Sequence, residues 1–154
     1  MRYGAEKRGG TVVPVSGELI SRQVQPILDF RATATMVAPS HMLSTMDEYA
    51  ARRLDPGERP MRIGIFRAEP WTNSMRERIE SVFGIHAVHI YGLSEIVGPG
   101  AANECVETKD GPHIWEDRFC PEVIGPRTSE ALPDGESGEL DSAALSKEAM
   151  AVVR

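Results

Sequence analysis

The chain has 154 residues, of which 41% are hydrophobic, 26% charged and 6% aromatic. That mix excludes collagen-like, mucin-like and disordered chains and fits a soluble globular domain able to bury about 68–70% of its unfolded surface without a disulfide or metal staple. Seventeen basic against 23 acidic residues give a net charge of −6, with no basic cluster beyond Arg52-Arg53 and Arg76-x-Arg78, so no nucleic-acid partner is expected. No apolar run approaches the roughly 18 residues that cross a bilayer, and Met1 to Gly10 are polar and charged. Two cysteines without framework spacing, Cys105 and Cys120, fit a reducing compartment, so a cytoplasmic location with no membrane contact is expected.

Up to Tyr91, short β-branched runs alternate with segments of helical period, the pattern of βα units around a parallel sheet. A helical start near Met1 should end at Gly9-Gly10, followed by a first strand at Thr11–Val15. Ser21 is suited to cap a helix to about Phe30, whose Val24, Ile27 and Leu28 form an apolar stripe. A second strand is expected at Ala34–Val37. Pro39-Ser40 reads as a turn, and Met42, Leu43, Met46 and Tyr49 recur at helical spacing down to Arg53, before Asp55-Pro56-Gly57 breaks the chain. Arg62–Phe66 reads as a third strand. Thr72 should cap a helix that shows Met75, Ile79, Val82 and Phe83 on one face and stops at Gly84. A fourth strand, Ala87–Tyr91, runs directly into Gly92-Leu93-Ser94-Glu95.

Beyond Gly100 the pattern changes to short extended candidates at His113–Trp115, Pro121–Ile124 and Gly138–Leu140, separated by turn chemistries at Lys109–Pro112 and Leu132–Gly135. The expected fold is therefore α/β, a parallel sheet with flanking helices followed by short, mostly antiparallel strands. Residues 1–100 would form the α/β part and residues 101–154 a β-rich extension.

Ligands of open parallel sheets bind beyond the carboxyl ends of the strands, which singles out the loops Ala38–His41, Arg67–Trp71 and Gly92–Glu95. In the last, Tyr91 offers a flat ring for a purine, Gly92 permits a tight turn, and Ser94 and Glu95 add a hydroxyl and a carboxylate suited to magnesium-bound phosphate. The same residues also suit a plain loop with a core tyrosine and a solvated glutamate. Cys105 and His113 supply two ligands where a tetrahedral zinc site needs four. His41, His86 and His89 lack a nearby catalytic arrangement and read as packing or surface residues.

Three motifs together, Tyr-Gly-Leu-Ser-Glu-x-x-Gly-Pro-Gly at Tyr91–Gly100, Phe-x-Ala-Glu-Pro-Trp at Phe66–Trp71 and His-Ile-Trp-Glu-Asp at His113–Asp117, resemble phenylacetate–CoA ligases, which are adenylate-forming enzymes. The likeness extends from Tyr3-Gly4-Ala5-Glu6 through Ile20–Gln25 and Leu132–Glu136 to Ser146–Arg154, about the middle third of the family's length. The resemblance implies ATP, Mg2+ and coenzyme A as cofactor and co-substrates, with phenylacetate as acyl substrate. It implies Glu95 as a magnesium ligand and Ser94 at the α-phosphate or substrate carboxylate. Tyr91 and Gly92 would border adenine and the acyl group. Ala68, Glu69 and Pro70 would line the adenine pocket and Gly98, Pro99 and Gly100 the aryl pocket, with Asp117 at the nucleotide.

The chain also departs from the family. Arg67 replaces a usual glycine, Ser16–Ile20 replaces Ser-Gly-Gly-Gln-Thr, and Ala38–His41 replaces Thr-Pro-Ser-Tyr. A phosphate loop ending in lysine, the later Arg-Thr-x-Asp segment and the lysine-bearing lid domain fall outside these 154 residues, so the isolated chain is expected to be inactive. Exposed sheet edges would favour self-association or pairing with the missing segments. The alternative function is a non-catalytic remnant or nucleotide-binding module.

Overall fold

The structure is a computed structural model and describes residues 2–15, 20–58, 60–96 and 98–146, together with the backbone of 152–153. Two compact units divide the chain: Met1–His89 with Val106–Lys109, and Ile90–Cys105 with Asp110–Arg154.

In the first unit the elements are α1 (Arg2–Lys7), α2 (Ile20–Asp29), β1 (Ala34–Val37), α3 (Pro39–Ala51), β2 (Ile63–Phe66), α4 (Asn73–Phe83) and the start of β3 (His86–Tyr91). β1 pairs with β2 in parallel, Ala34 opposite Ile63 through Val37 opposite Phe66, and β2 pairs with β3 likewise, Ile63 opposite His86 through Phe66 opposite His89. The crossovers are α3 and α4. Their apolar stripes supply Met42, Met46, Tyr49, Ile79 and Phe83 to a core closed by Val24 of α2 and by Phe66 and Ala87 of the sheet. Burial of each of the Val, Ile, Met and Phe side chains contributes roughly 1.5–3 kcal/mol.

Local chemistry sets the ends of α4. The Thr72 side chain accepts a hydrogen bond from Met75 N, and Gly84 adopts φ 63°, ψ 33°, the left-handed stop. Of the expected stripe, Ile79 and Phe83 are buried, whereas Val82 is 36% exposed and lies off the face.

Several expectations are corrected. Thr11–Val15 forms no strand; Val13 and Val15 stay 39% and 40% exposed, and Pro14 has no N–H for a ladder. Helix α2 begins at Ile20, so Ser21 sits inside its first turn rather than at the cap. Pro39 and Ser40 open α3 instead of forming a separate turn, because proline's missing N–H costs nothing at the first helical position. Residues 16–19 and 147–151 and Arg154 lie outside the described residues.

In the second unit the pairings among the described residues are antiparallel. Ile90 and Tyr91 of β3 face Asn103 and Ala102 of β4 (Ala102–Asn103), which pairs with β5 (His113–Ile114). β6 (Phe119–Ile124) pairs with β7 (Glu139–Ala144) along its whole length, and β7 with β8 (Val152–Val153). Its core is small: Ile96, Ala101, Phe119 and Ala144, with Ile114 partly buried. β7 extends four residues past the expected Leu140 through Asp141-Ser142-Ala143-Ala144, a run too polar and small to read as strand. Among the described residues no helix is long and apolar enough to cross a membrane.

Candidate active-site segments

In the first unit the start of α3, which follows β1, is joined to the turn that follows β2. Arg67 N donates to Val37 O (3.3 Å), continuing the parallel register one step, and Ser40 N donates to the Glu69 carboxylate (2.6 Å). The Ser40 hydroxyl, then the Ser40 N–H, hold the Glu69 carboxyl below its ordinary value against a smaller effect of desolvation. Between them Ala68 sits at φ 75°, a left-handed conformation that a side chain disfavours. Arg67 is exposed, and His41 Nε2 contacts Gln23 Oε1 at 2.5 Å.

Trp71 closes the turn that follows β2. Its ring lies 4.8 Å from Phe66 and edge-on to His89 at 6.4 Å, and the Arg76 guanidinium sits 4.8 Å over it. One turn further along α4, Glu80 accepts from Ala87 N (2.8 Å) and pairs with Lys109. Burial is the largest single influence on Glu80 and opposes ionisation, but Lys109, the Ala87 N–H and Arg76 together outweigh it and lower the pKa. Sequence reasoning missed this Trp71–Arg76–Glu80–Lys109 cluster. The four-residue spacing of Arg76 and Glu80 was visible, but Lys109 joins from a distant segment.

In the second unit, the turn that follows β3 is built from backbone. Gly98 N donates to Leu93 O (2.7 Å), Ile96 N to the same oxygen (3.3 Å) and Gly100 N to Tyr91 O (3.1 Å). Gly98 and Gly100 take φ 87° and 118°. A Cβ on Gly92 would come within 2.8 Å of Pro99 Cα and 3.0 Å of Gly100 N, so only glycine lets the two arms of the loop close. Ile96, 1% exposed, pins the loop to the core. Tyr91 is half-buried, while Ser94 and Glu95 are exposed at the tip.

Gly98, Pro99 and Gly100 border a shallow hollow of about 250 Å³ with Trp115, Arg118 and Phe119. Trp115 Nε1 donates to Asn103 Oδ1 (3.0 Å), and Asp117 is exposed beside Arg118 (3.4 Å). Of the three loops singled out in the sequence, Ala38–His41 and Arg67–Trp71 belong to the first unit and Gly92–Glu95 to the second. Among the described residues no group of three or more His, Cys, Asp and Glu side chains could hold a metal ion, and His113 instead contacts Asp110 at 3.0 Å.

A parallel α/β layer whose strands end in glycine- and proline-bearing turns, continued by antiparallel strands, is the fold of adenylate-forming CoA ligases. The chain superposes on 2-hydroxyisobutyryl-CoA ligase crystallised with 2-HIB-AMP and CoA at TM-score 0.90 and 20% identity, covering 98% of this chain and 34% of that one. A long-chain-fatty-acid-CoA ligase from Archaeoglobus fulgidus gives 0.68 at 14% identity, over 88% of this chain and 29% of the other. No family model matches the sequence.

The relatives by sequence are more particular. Phenylacetate-coenzyme A ligases from Aromatoleum evansii and Pseudomonas putida are each 56% identical over 152 residues, and that of Escherichia coli K12 is 50% identical over 154. For the stretch it spans, the chain belongs with the phenylacetate-coenzyme A ligases. It covers 99% of its own length but 34–35% of theirs.

Proposed function

We propose that the chain supplies part of the acyl-activating centre of an AMP-forming phenylacetate–CoA ligase. The observation that carries this reading is 56% identity over 152 residues to ligases of that activity. In such a reaction a phenylacetate oxygen attacks the α-phosphorus of ATP and pyrophosphate departs. Coenzyme A sulfur then attacks the acyl carbon, and AMP leaves.

The residues carry complementary roles. The Ala68–Pro70 backbone lines adenine, the Tyr91 ring and Gly92 border nucleotide and acyl group, and Ser94 donates to the α-phosphate or the carboxylate. Gly98–Gly100 let an aryl group approach the chain closely, and Asp117 serves the nucleotide. A divalent ion fits the donor set: the tip of the turn offers one exposed carboxylate, Glu95, beside one hydroxyl, Ser94, without a dedicated cluster. Magnesium is commonly held by one carboxylate and the substrate's own phosphates. Bound there, it would neutralise charge that develops when two anions meet.

Because the chain spans about a third of its relatives' length, thioester formation by the 154 residues alone is not expected. Exposed Trp115, Leu140 and Leu145 support self-association or pairing with the rest of a ligase, which sedimentation would show as concentration-dependent mass.

The test is a hybrid in which the segment replaces the corresponding third of the E. coli relative. Phenylacetate-dependent exchange of pyrophosphate into ATP within about tenfold of the parent supports the reading. A folded but inert hybrid that Arg67→Gly fails to rescue would favour the non-catalytic alternative.

A further inference from the structure

Helix α3 has no cap of its own. Ala38 at its N-cap makes no side-chain hydrogen bond, and Pro39 brings no N–H. Ser40 N–H is one of the first-turn donors that a helix leaves without an internal acceptor, and its partner arrives from a different loop, the Glu69 carboxylate 29 residues along the chain. An anion suits that end of the helix dipole. The acceptor belongs to a turn that needs holding: its neighbour Ala68 is left-handed at φ 75°, with no glycine to relieve it. On the near side Arg67 N is fixed to Val37 O, and on the far side Trp71 is fixed between Phe66 and Arg76.

From this geometry we propose that Glu69 is a positioning residue: its carboxylate, latched to the first turn of α3, holds the Ala68–Pro70 backbone in the shape that receives the nucleotide. The proposal rests on the ligase reading for its ligand and deepens it. The Glu69 carboxylate is engaged by the Ser40 N–H at 2.6 Å, so its contribution passes through the backbone it steadies. A lowered carboxyl pKa agrees with an ionised acceptor at neutral pH.

Two variants test it, Glu69→Ala, which removes the acceptor, and Glu69→Gln, which keeps an oxygen at the same reach. In the 154-residue chain, hydrogen exchange at the Ser40 amide is expected to speed up about tenfold in Glu69→Ala and little in Glu69→Gln, the loss of one hydrogen bond. In the hybrid ligase, the KM for ATP is expected to rise about tenfold in Glu69→Ala and under about threefold in Glu69→Gln, with kcat nearly unchanged.

Unaltered Ser40 exchange in Glu69→Ala would overturn the latch. Faster exchange with an unchanged KM for ATP would reduce Glu69 to a helix cap and overturn the positioning role. A hybrid inert without any Glu69 substitution would overturn the ligase reading and the nucleotide part with it, while Ser40 exchange still decides the latch.

Discussion

The first unit packs Val24, Met42, Tyr49, Phe66 and Ile79, each 1% exposed or less, between helices and a parallel sheet. The second rests on Ile96, Ala101, Phe119 and Ala144 and on paired backbone. One region is specified by side-chain period and the other by turn geometry. Their candidate loops follow the same division, since a carboxylate ties Ala38–Ser40 to Arg67–Glu69, whereas backbone bonds and glycines shape Tyr91–Gly100. Side-chain period leaves a strong trace in sequence, and turn geometry leaves only its glycines and prolines.

Each unit holds one of the two tryptophans, Trp71 and Trp115, so the contrast can be measured. With Trp115→Phe, Trp71 reports the first unit, and with Trp71→Phe, Trp115 reports the second. The smaller core predicts that the Trp115 transition comes at lower urea. Coincident transitions would erase the distinction.

The largest effect is expected from Ile79→Ala, at 0% exposure, costing about 2–5 kcal/mol in the Trp71 transition. Gly92→Ala should cost about 1–3 kcal/mol in the Trp115 transition, since its Cβ meets Pro99 and Gly100 backbone that has no rotamer to escape by. Thr72→Ala, which removes the cap on Met75 N, should cost about 1 kcal/mol, read from Trp71.

The smallest effect concerns acid. Glu80 has a folded pKa below its ordinary value, so it contributes stability above that value and loses it as pH falls through the folded one. Urea midpoints from pH 6 down to about 3 should therefore decline for Trp71, less steeply in Glu80→Gln. Equal slopes would show that the Lys109 pair does not matter.

Much of the first unit is legible in its sequence. Ala34–Val37 is the strand its β-branched run predicts, and Thr72 and Gly84 bound α4 because a hydroxyl cap and a left-handed stop are local properties. Thr11–Val15 misled because β-propensity says nothing of a partner strand, and Pro14 weakens any ladder. In the second unit β4 is two residues long, and β7 runs through Asp141 and Ser142, where cross-strand pairing overrides composition. The Tyr91–Gly100 loop was visible as a motif, but the tie between Ser40 and Glu69 was not, because nothing in a linear sequence links residues 29 apart.

The assignment of chemistry to the turn after β3 is tested most directly by Glu95→Gln in the hybrid ligase, titrating Mg2+ during phenylacetate-dependent pyrophosphate exchange. A carboxylate that holds the ion predicts a rise of about tenfold or more in the half-saturating Mg2+ concentration and a fall of about 100-fold in the maximal rate. A Mg2+ dependence and maximal rate unchanged from the unsubstituted hybrid would contradict it.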